Sequence, residues 1–477
     1  MEQSPRRALW ACLAPAAASL AIILSSPAQY LGRQHDDLIY IIGSHSLASG
    51  SYRLFTSPGA PPLTVINPGF PLLLLPVTWL AGENFGFYQI FCALILAISP
   101  WLLWLWLRPR LTPPQTALVC LLFGSSPLVL SQAGTVMSEG PFLLLSLGLL
   151  LSLDFPGQGV SAGGLLLGLT QVRTAGIALI PGALARPLRR KKWAQAAWIL
   201  APAALGMILW SLWSRSVSGG VQKIEEFRFL YASHPARRLL AVAADNAGYY
   251  LGAWGSSFLP VRWGGGLASA AAGAVLAALS LRGSLLIIRR DACEPAVWML
   301  AGTAAMHAVW PWHYDRYIIL PLPLLLWTAA RGLGRFSIPA LALLLAAQLG
   351  FQSHPWLAGR AAGTKPALSE TYSWLKSRAK PADVLVSIIN VRDGFYTAMP
   401  SLPFPPAQDA ASLARQLKAH RARFVLWQEG EDFGLSDERS AEIRLELEND
   451  GEFLKSSPLF RLAYRNDREK SRVYEVR

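Results

Sequence analysis

The chain has 477 residues, 53% of them hydrophobic and 15% charged, with a mean hydropathy of +0.34. Soluble domains usually carry about 25% charged residues, so an ordinary soluble domain is excluded and a membrane protein is expected. The net charge of +14 does not imply a nucleic-acid partner. The basic residues punctuate the gaps between apolar runs, as membrane topology requires, instead of forming one patch.

In chain order, apolar runs long enough to cross or nearly cross a bilayer fall at 8–27, 88–107, 115–133, 139–154, 194–213, 266–288, 296–312, 317–330 and 337–350. The stretch 160–186 reads as two short segments bent near Arg173. The expected fold class is therefore mostly α, a polytopic helical protein with about eleven crossings of a ~30 Å hydrocarbon core. With the N-terminus inside, this count puts Arg6-Arg7, Arg108 and Arg110, Arg186 through Lys192, Arg289-Arg290, and Arg331 with Arg335 on one side. By the positive-inside rule that side is the cytoplasm. Counting 63–81 as a further span would break the agreement, and its Pro68 and Pro71 suit an irregular helix lying along the outer surface. Ser26-Pro27-Ala28 offers an alternative as a signal cleavage site, but the ~20-residue first segment favours a retained span. Trp101, Trp104 and Trp106 beside Arg108 form an interfacial anchor.

The non-cytoplasmic parts are then an outer loop 28–87, the turn at Ser138-Glu139, a loop 214–265, and a tail from 351 to 477. The tail's charges are frequent and nearly balanced. A helical stretch from Glu370 to Arg378 precedes strand-like runs at Asp383–Ile389, Arg423–Trp427, Leu459–Arg465 and Arg472–Val476. Strands alternating with helical patterns predict a small extracytoplasmic α/β domain over 351–477, beside a transmembrane domain over 1–350. Cys12, Cys92, Cys120 and Cys293 lie in or beside apolar segments without metal-ligand spacing, so no disulfide framework is expected.

Few polar residues carry chemistry. The first are Asp36 and Asp37 in His35-Asp36-Asp37-Leu38-Ile39-Tyr40, just past the first apolar segment. Carboxylates this close to a bilayer are costly to desolvate. Such a pair serves as a general base, holds a divalent cation such as Mg or Mn against a phosphate, or is simply a solvated loop entrance. Glu139 either lines the same outer cavity or complements a helix N-terminus behind Ser138. Arg173, inside an apolar run, either pairs with a carboxylate or phosphate or snorkels to the headgroups. Arg316, in His313-Tyr314-Asp315-Arg316-Tyr317, is a lipid-phosphate clamp or a surface partner of Asp315. The loop 214–265 mixes Lys223, Arg228, Arg237, Arg238 and Arg262 with Tyr231, Tyr249, Tyr250 and Trp254, a blend that grips an anionic ligand or rests on headgroups. No Walker-type loop, nucleophile elbow or zinc spacing occurs.

Taken together, these residues resemble the bacterial GT-C glycosyltransferases, the superfamily of protein O-mannosyltransferases and lipid A aminoarabinose transferases. The resemblance runs through Asp36-Asp37 with Tyr40, Gly50-Ser51-Tyr52, Asn67-Pro68-Gly69-Phe70-Pro71, Ser138-Glu139, Arg173 and Arg316-Tyr317. Asn67 departs from the proline common at that place. The resemblance implies an inverting sugar transfer from a polyprenyl-phosphate donor to a protein, lipid or glycan acceptor at the outer face of the bacterial inner membrane. Asp36 would be the base, with Asp37 assisting it or holding a metal and Glu139 lining the cavity. Arg173 and Arg316 would contact the phosphate, with Tyr40, His313 and Tyr317 as further substrate or lipid-phosphate contacts. A secondary transporter and a non-catalytic membrane scaffold are the competing classes. A transporter would concentrate its charges near mid-membrane and show inverted repeats, whereas this chain gathers them at one face.

Overall fold

The computed structural model describes residues 5–25, 31–32, 34, 36–155, 157–218, 228, 231, 235–258, 265–310, 312–359, 368–429 and 448–477. The Ser26-Pro27-Ala28 triplet, His35, Lys223 and Arg262 lie outside the described residues.

The apolar runs fold as helices because backbone groups in hydrocarbon must be satisfied within their own segment. Helix α1 is Pro5–Leu24, followed by α2 (Asp36–Ala48), α3 (Gly69–Ala81), α4 (Phe85–Leu107), α5 (Pro113–Gly124) and α6 (Pro127–Gln132). Next come α7 (Glu139–Asp154), α8 (Gly159–Val172), α9 (Ile180–Arg189), α10 (Trp193–Ser218) and α11 (Pro235–Ser256). Then come α12 (Gly265–Ile288), α13 (Pro295–Val309), α14 (Leu322–Leu333) and α15 (Ser337–Gly359). Among the described residues, four helical stretches are long and apolar enough to cross a membrane: Phe85–Leu107, Trp193–Ser218, Gly266–Ile288 and Leu322–Gly350. Others are shorter or broken. The run 115–133 breaks at Ser125-Ser126, where Pro127 cannot donate to the preceding turn. The stretch 160–186 bends at Arg173, as its sequence predicts, through a 3-10 turn at Thr174–Leu179.

Two loops hold more structure than the sequence suggests. The outer loop contains α2, besides the helix expected within 63–81, and the loop 214–265 contains the 22 residues of α11. Small residues let helices approach closely where polar contacts tie them. Gly283 of α12 and Gly332 of α14 each face the partner's backbone, and Ser280 and Thr328 hydroxyls bond beside them at 2.6 Å.

The C-terminal segment forms a five-stranded mixed sheet in the order β2-β1-β3-β5-β4. Its strands are β1 (Val384–Ser387), β2 (Ser401–Leu402), β3 (Ala422–Gln428), β4 (Phe460–Asn466) and β5 (Ser471–Val476). The first is parallel to β2 and β3, and β5 is antiparallel to β3 and β4. Alternate residues feed two cores, as the strand period requires. Leu385, Phe424, Leu426 and Val473 pack on the helix Ser369–Arg378, while Val386, Val425 and Trp427 pack with Leu413 and Leu417 of the helix Ala410–Ala419. This unit rests on the outer loop. Tyr396 Oη donates to the Leu31 carbonyl at 2.8 Å, Ser401 N–H donates to the Thr56 carbonyl at 2.8 Å, and Phe395 meets Phe85 edge-on at 5.4 Å.

Charged clusters mark both ends of the bundle. Helix α7 starts at Glu139, beside Arg173 and Arg316, and ends at Asp154, beside Arg110 and Arg186. Its 16 residues span about 24 Å at 1.5 Å per residue, so the two clusters sit at opposite faces.

Candidate active site

The site forms where the N-termini of α2 and α7, the C-terminus of α8 and the 3-10 turn Asp315–Ile319 meet. Glu139 is its centre. Its side chain is fully buried, with Oε1 2.7 Å from Arg173 Nη1 and 3.4 Å from Arg316 Nε. These ion-pair contacts leave neither Glu139 oxygen, nor Arg316 Nε, in an aligned hydrogen bond. Arg316 reaches outward with its other nitrogens. Nη2 is 2.8 Å from Asp36 Oδ2, and Nη1 donates to Gln34 Oε1 at 3.0 Å and to the Gln34 carbonyl at 3.3 Å. Its guanidinium lies 4.5 Å from the Tyr314 ring and 5.7 Å from the Tyr317 ring. The same Tyr317 ring lies 5.3 Å from the Arg173 guanidinium. Two arginines and two carboxylates thus form one chain, Asp36–Arg316–Glu139–Arg173, with opposite charges adjacent throughout.

Ser138, just before α7, joins this chain to α2. Its hydroxyl accepts from Arg173 Nη1 at 2.8 Å and bonds to Tyr40 Oη at 2.9 Å. Tyr40 in turn packs edge-on against Phe70 at 4.7 Å. The Asn67-Pro68-Gly69 motif sets the other side. Asn67 Nδ2 donates to the Thr170 carbonyl at 2.8 Å, and a Cβ on Gly69 would collide with the backbone of Gln171 and Val172. The motif therefore clamps the last turn of α8, and the next residue is Arg173. Asn67 holds this contact through an amide donor that proline lacks.

The adjacent aspartates have different surroundings. Asp36 keeps a side chain 34% exposed, whereas Asp37 is only 3% exposed. Both Asp37 oxygens accept from Gly32 N–H at 3.0 Å, and Oδ1 also accepts from Leu38 N–H at 2.8 Å. Burial pushes the Asp37 carboxyl up to about 6, against the opposing pull of those backbone donors. The pair does not fit a shared metal site. Asp37 is committed to backbone donors, and Asp36 already faces the Arg316 guanidinium. Among the described residues, no three His, Cys, Asp or Glu side chains gather to hold an ion.

His313 is placed apart from the charged chain. Its ring stacks on Tyr249 at 3.8 Å, and Nδ1 is 3.4 Å from Asn246 Oδ1. Tyr249 Oη donates to Asp315 Oδ1 at 2.7 Å. Asp315 is thus held by α11 and not by Arg316, which turns inward. Gln34, Tyr314 and Asn246 are the site residues that sequence reasoning missed. Gln34 adjoins one recognised motif and Tyr314 lies inside another, but Asn246, which donates to the His307 and Trp310 carbonyls at 2.8 and 2.6 Å, has no local signal.

No protein-family model and no curated protein matches the sequence. Solved structures do match its fold. ArnT from Cupriavidus metallidurans, bound to undecaprenyl phosphate, aligns over 98% of this chain and 97% of its own, with a TM-score of 0.59 and 11% identity. The archaeal oligosaccharyltransferase AglB from Archaeoglobus fulgidus, with an inhibitory peptide and a dolichol-phosphate, aligns over 89% of this chain and 70% of its own (TM-score 0.55, 12% identity). Another structure of the Archaeoglobus fulgidus oligosaccharyltransferase, with Zn and sulfate, aligns over 87% and 67% (TM-score 0.53, 11% identity). This chain therefore shares the fold of these solved structures.

Proposed function

We propose that this protein transfers a sugar from a polyprenyl-phosphate donor to an acceptor at the outer face of the bacterial inner membrane, with inversion at the anomeric carbon. The observation that carries this reading is the ion chain Asp36–Arg316–Glu139–Arg173, set in a fold whose neighbours were solved with polyprenyl or dolichyl phosphates. Asp36, the exposed carboxylate, takes the proton of the acceptor hydroxyl or amine as that atom attacks the anomeric carbon. The bond to the phosphate oxygen breaks, and negative charge grows on the departing lipid phosphate.

Arg316 links these events. Protonation of Asp36 removes one of its two carboxylate partners as a phosphate anion appears to take its place. Arg173 and the Tyr317 ring hold the inner end of the chain fixed, so the donors are oriented before charge develops. Glu139 keeps two buried guanidiniums compatible side by side, and Asp37 holds the loop that presents Asp36. His313 and Tyr249 form an aromatic wall beside Asp315, suited to a sugar face. The N-terminus lies in the cytoplasm and the α/β unit that follows α15 lies outside, where it covers the loop over the site.

The test is transfer from a panel of radiolabelled undecaprenyl-phosphate sugars to membrane extract, using the purified protein in proteoliposomes. The wild type transfers one sugar, and Arg316→Gln loses about 100-fold in turnover, the effect of removing one preorganised donor. Solute uptake without sugar transfer by the folded wild type contradicts the reading.

A further inference from the structure

At the end of the bundle opposite Asp36, a cavity of about 180 Å³ opens between the end of α7, the end of α9 and the start of α10. Arg186, Arg190, Lys192 and Gln195 line it, together with Leu153 and Phe155. Arg186 is already neutralised, lying 2.7 Å from Glu294 Oε2 and 3.3 Å from Asp154 Oδ1, and Arg110 is 2.6 Å from Asp154. Arg190 and Lys192 are different. Both are exposed, and among the described residues neither lies in an ion pair. The cavity therefore has two uncommitted cations at its mouth and a compensated charge network at its base.

Phe155 lines it, and the first turns of α10 beside it carry further exposed aromatic side chains. Phe155, Trp193 and Trp198 are 61%, 66% and 60% exposed, and α10, which begins at Trp193, is one of the helices able to cross a membrane. Exposed Trp and Phe at the end of such a helix mark the headgroup level. A concave basic site beside apolar surface at that depth has the chemistry of a lipid headgroup site.

We propose that this cavity binds the phosphodiester of an anionic phospholipid, such as cardiolipin, from the leaflet opposite the active site. Arg190 and Lys192 hold the phosphate, while the acyl chains lie against Trp193, Trp198 and α10. A free phosphate ester would use the same cations but not the aromatic surface of α10. The proposal rests on the membrane placement of α10 and is independent of the sugar chemistry.

The test is native mass spectrometry of the full chain released from detergent, with added cardiolipin or phosphatidylcholine. The wild type retains cardiolipin on the order of tenfold better than phosphatidylcholine. Arg190→Gln with Lys192→Gln removes that preference, and Arg190→Lys with Lys192→Arg preserves it. Excess glycerol phosphate leaves the bound cardiolipin in place. In the wild type alone, retention weakens as salt is raised before release, because the contact is screened. Equal retention of cardiolipin by the wild type and the Gln variant overturns the proposal. Displacement by glycerol phosphate also overturns it, in favour of a soluble phosphate ester.

Discussion

Asp36 and Asp37 are neighbours with opposite fates, and their difference lies in their hydrogen bonds. Asp37 is buried and capped by Gly32 and Leu38, and its carboxyl is pushed up to about 6 from an ordinary 3.8. A folded state that raises this value binds the proton more tightly than the unfolded chain. Its contribution is therefore fully present below about pH 4 and is lost as pH rises through about 6. Asp37→Asn removes that dependence and keeps a carbonyl oxygen for the same backbone donors. Thermal unfolding followed from pH 4 to 7 should show the variant gaining on the wild type as pH rises, by roughly 2–3 kcal/mol at neutrality. A constant difference across that range contradicts the assignment. The sequence singled out the Asp-Asp pair but could not rank its members, because Gly32 supplies a backbone donor and no recognisable side chain.

Among elements, the decisive contact is between the Asn67-Pro68-Gly69 segment and the end of α8. The motif was legible, but its purpose was not, since its partner lies 103 residues away. Gly69→Ala puts a methyl group against the Gln171 and Val172 backbone, which cannot yield as a flexible side chain would. We expect a lower unfolding temperature and at least about a tenfold loss of transfer as Arg173 shifts from Glu139, because misplacement far smaller than a residue width is costly in catalysis. An unchanged unfolding temperature and rate would remove this contact from the account. Helix α11 was illegible for a different reason: Arg237, Arg238, Asp245 and Asn246 interrupt its apolar pattern. Its Asn246 meets His313, and its Tyr249 reaches Asp315.

For the whole molecule, the four main strands follow the apolar runs of 383–476 closely, and only the two-residue β2 escaped notice. Charge placement carries the proposed membrane topology, and helix lengths add little to it. Several expected spans are short helices broken at proline or at Arg173, and a bundle with an irregular outer face places polar side chains where straight spans could not. This topology predicts that, in a chain stripped of its native cysteines, a membrane-impermeant thiol reagent on intact spheroplasts labels Lys418→Cys in the α/β unit. It leaves Arg289→Cys unlabelled until the membrane is opened. The reverse pattern inverts the orientation. The central claim is that the exposed Asp36 performs the chemistry of this assembly while the buried Asp37 supports it. The most direct measurement compares sugar transfer from the preferred undecaprenyl-phosphate donor by Asp36→Asn and Asp37→Asn in proteoliposomes. The account predicts a loss of at least about 100-fold for Asp36→Asn, in the range expected for a general base, with Asp37→Asn within about tenfold of wild type. Full turnover by a folded Asp36→Asn protein would contradict it.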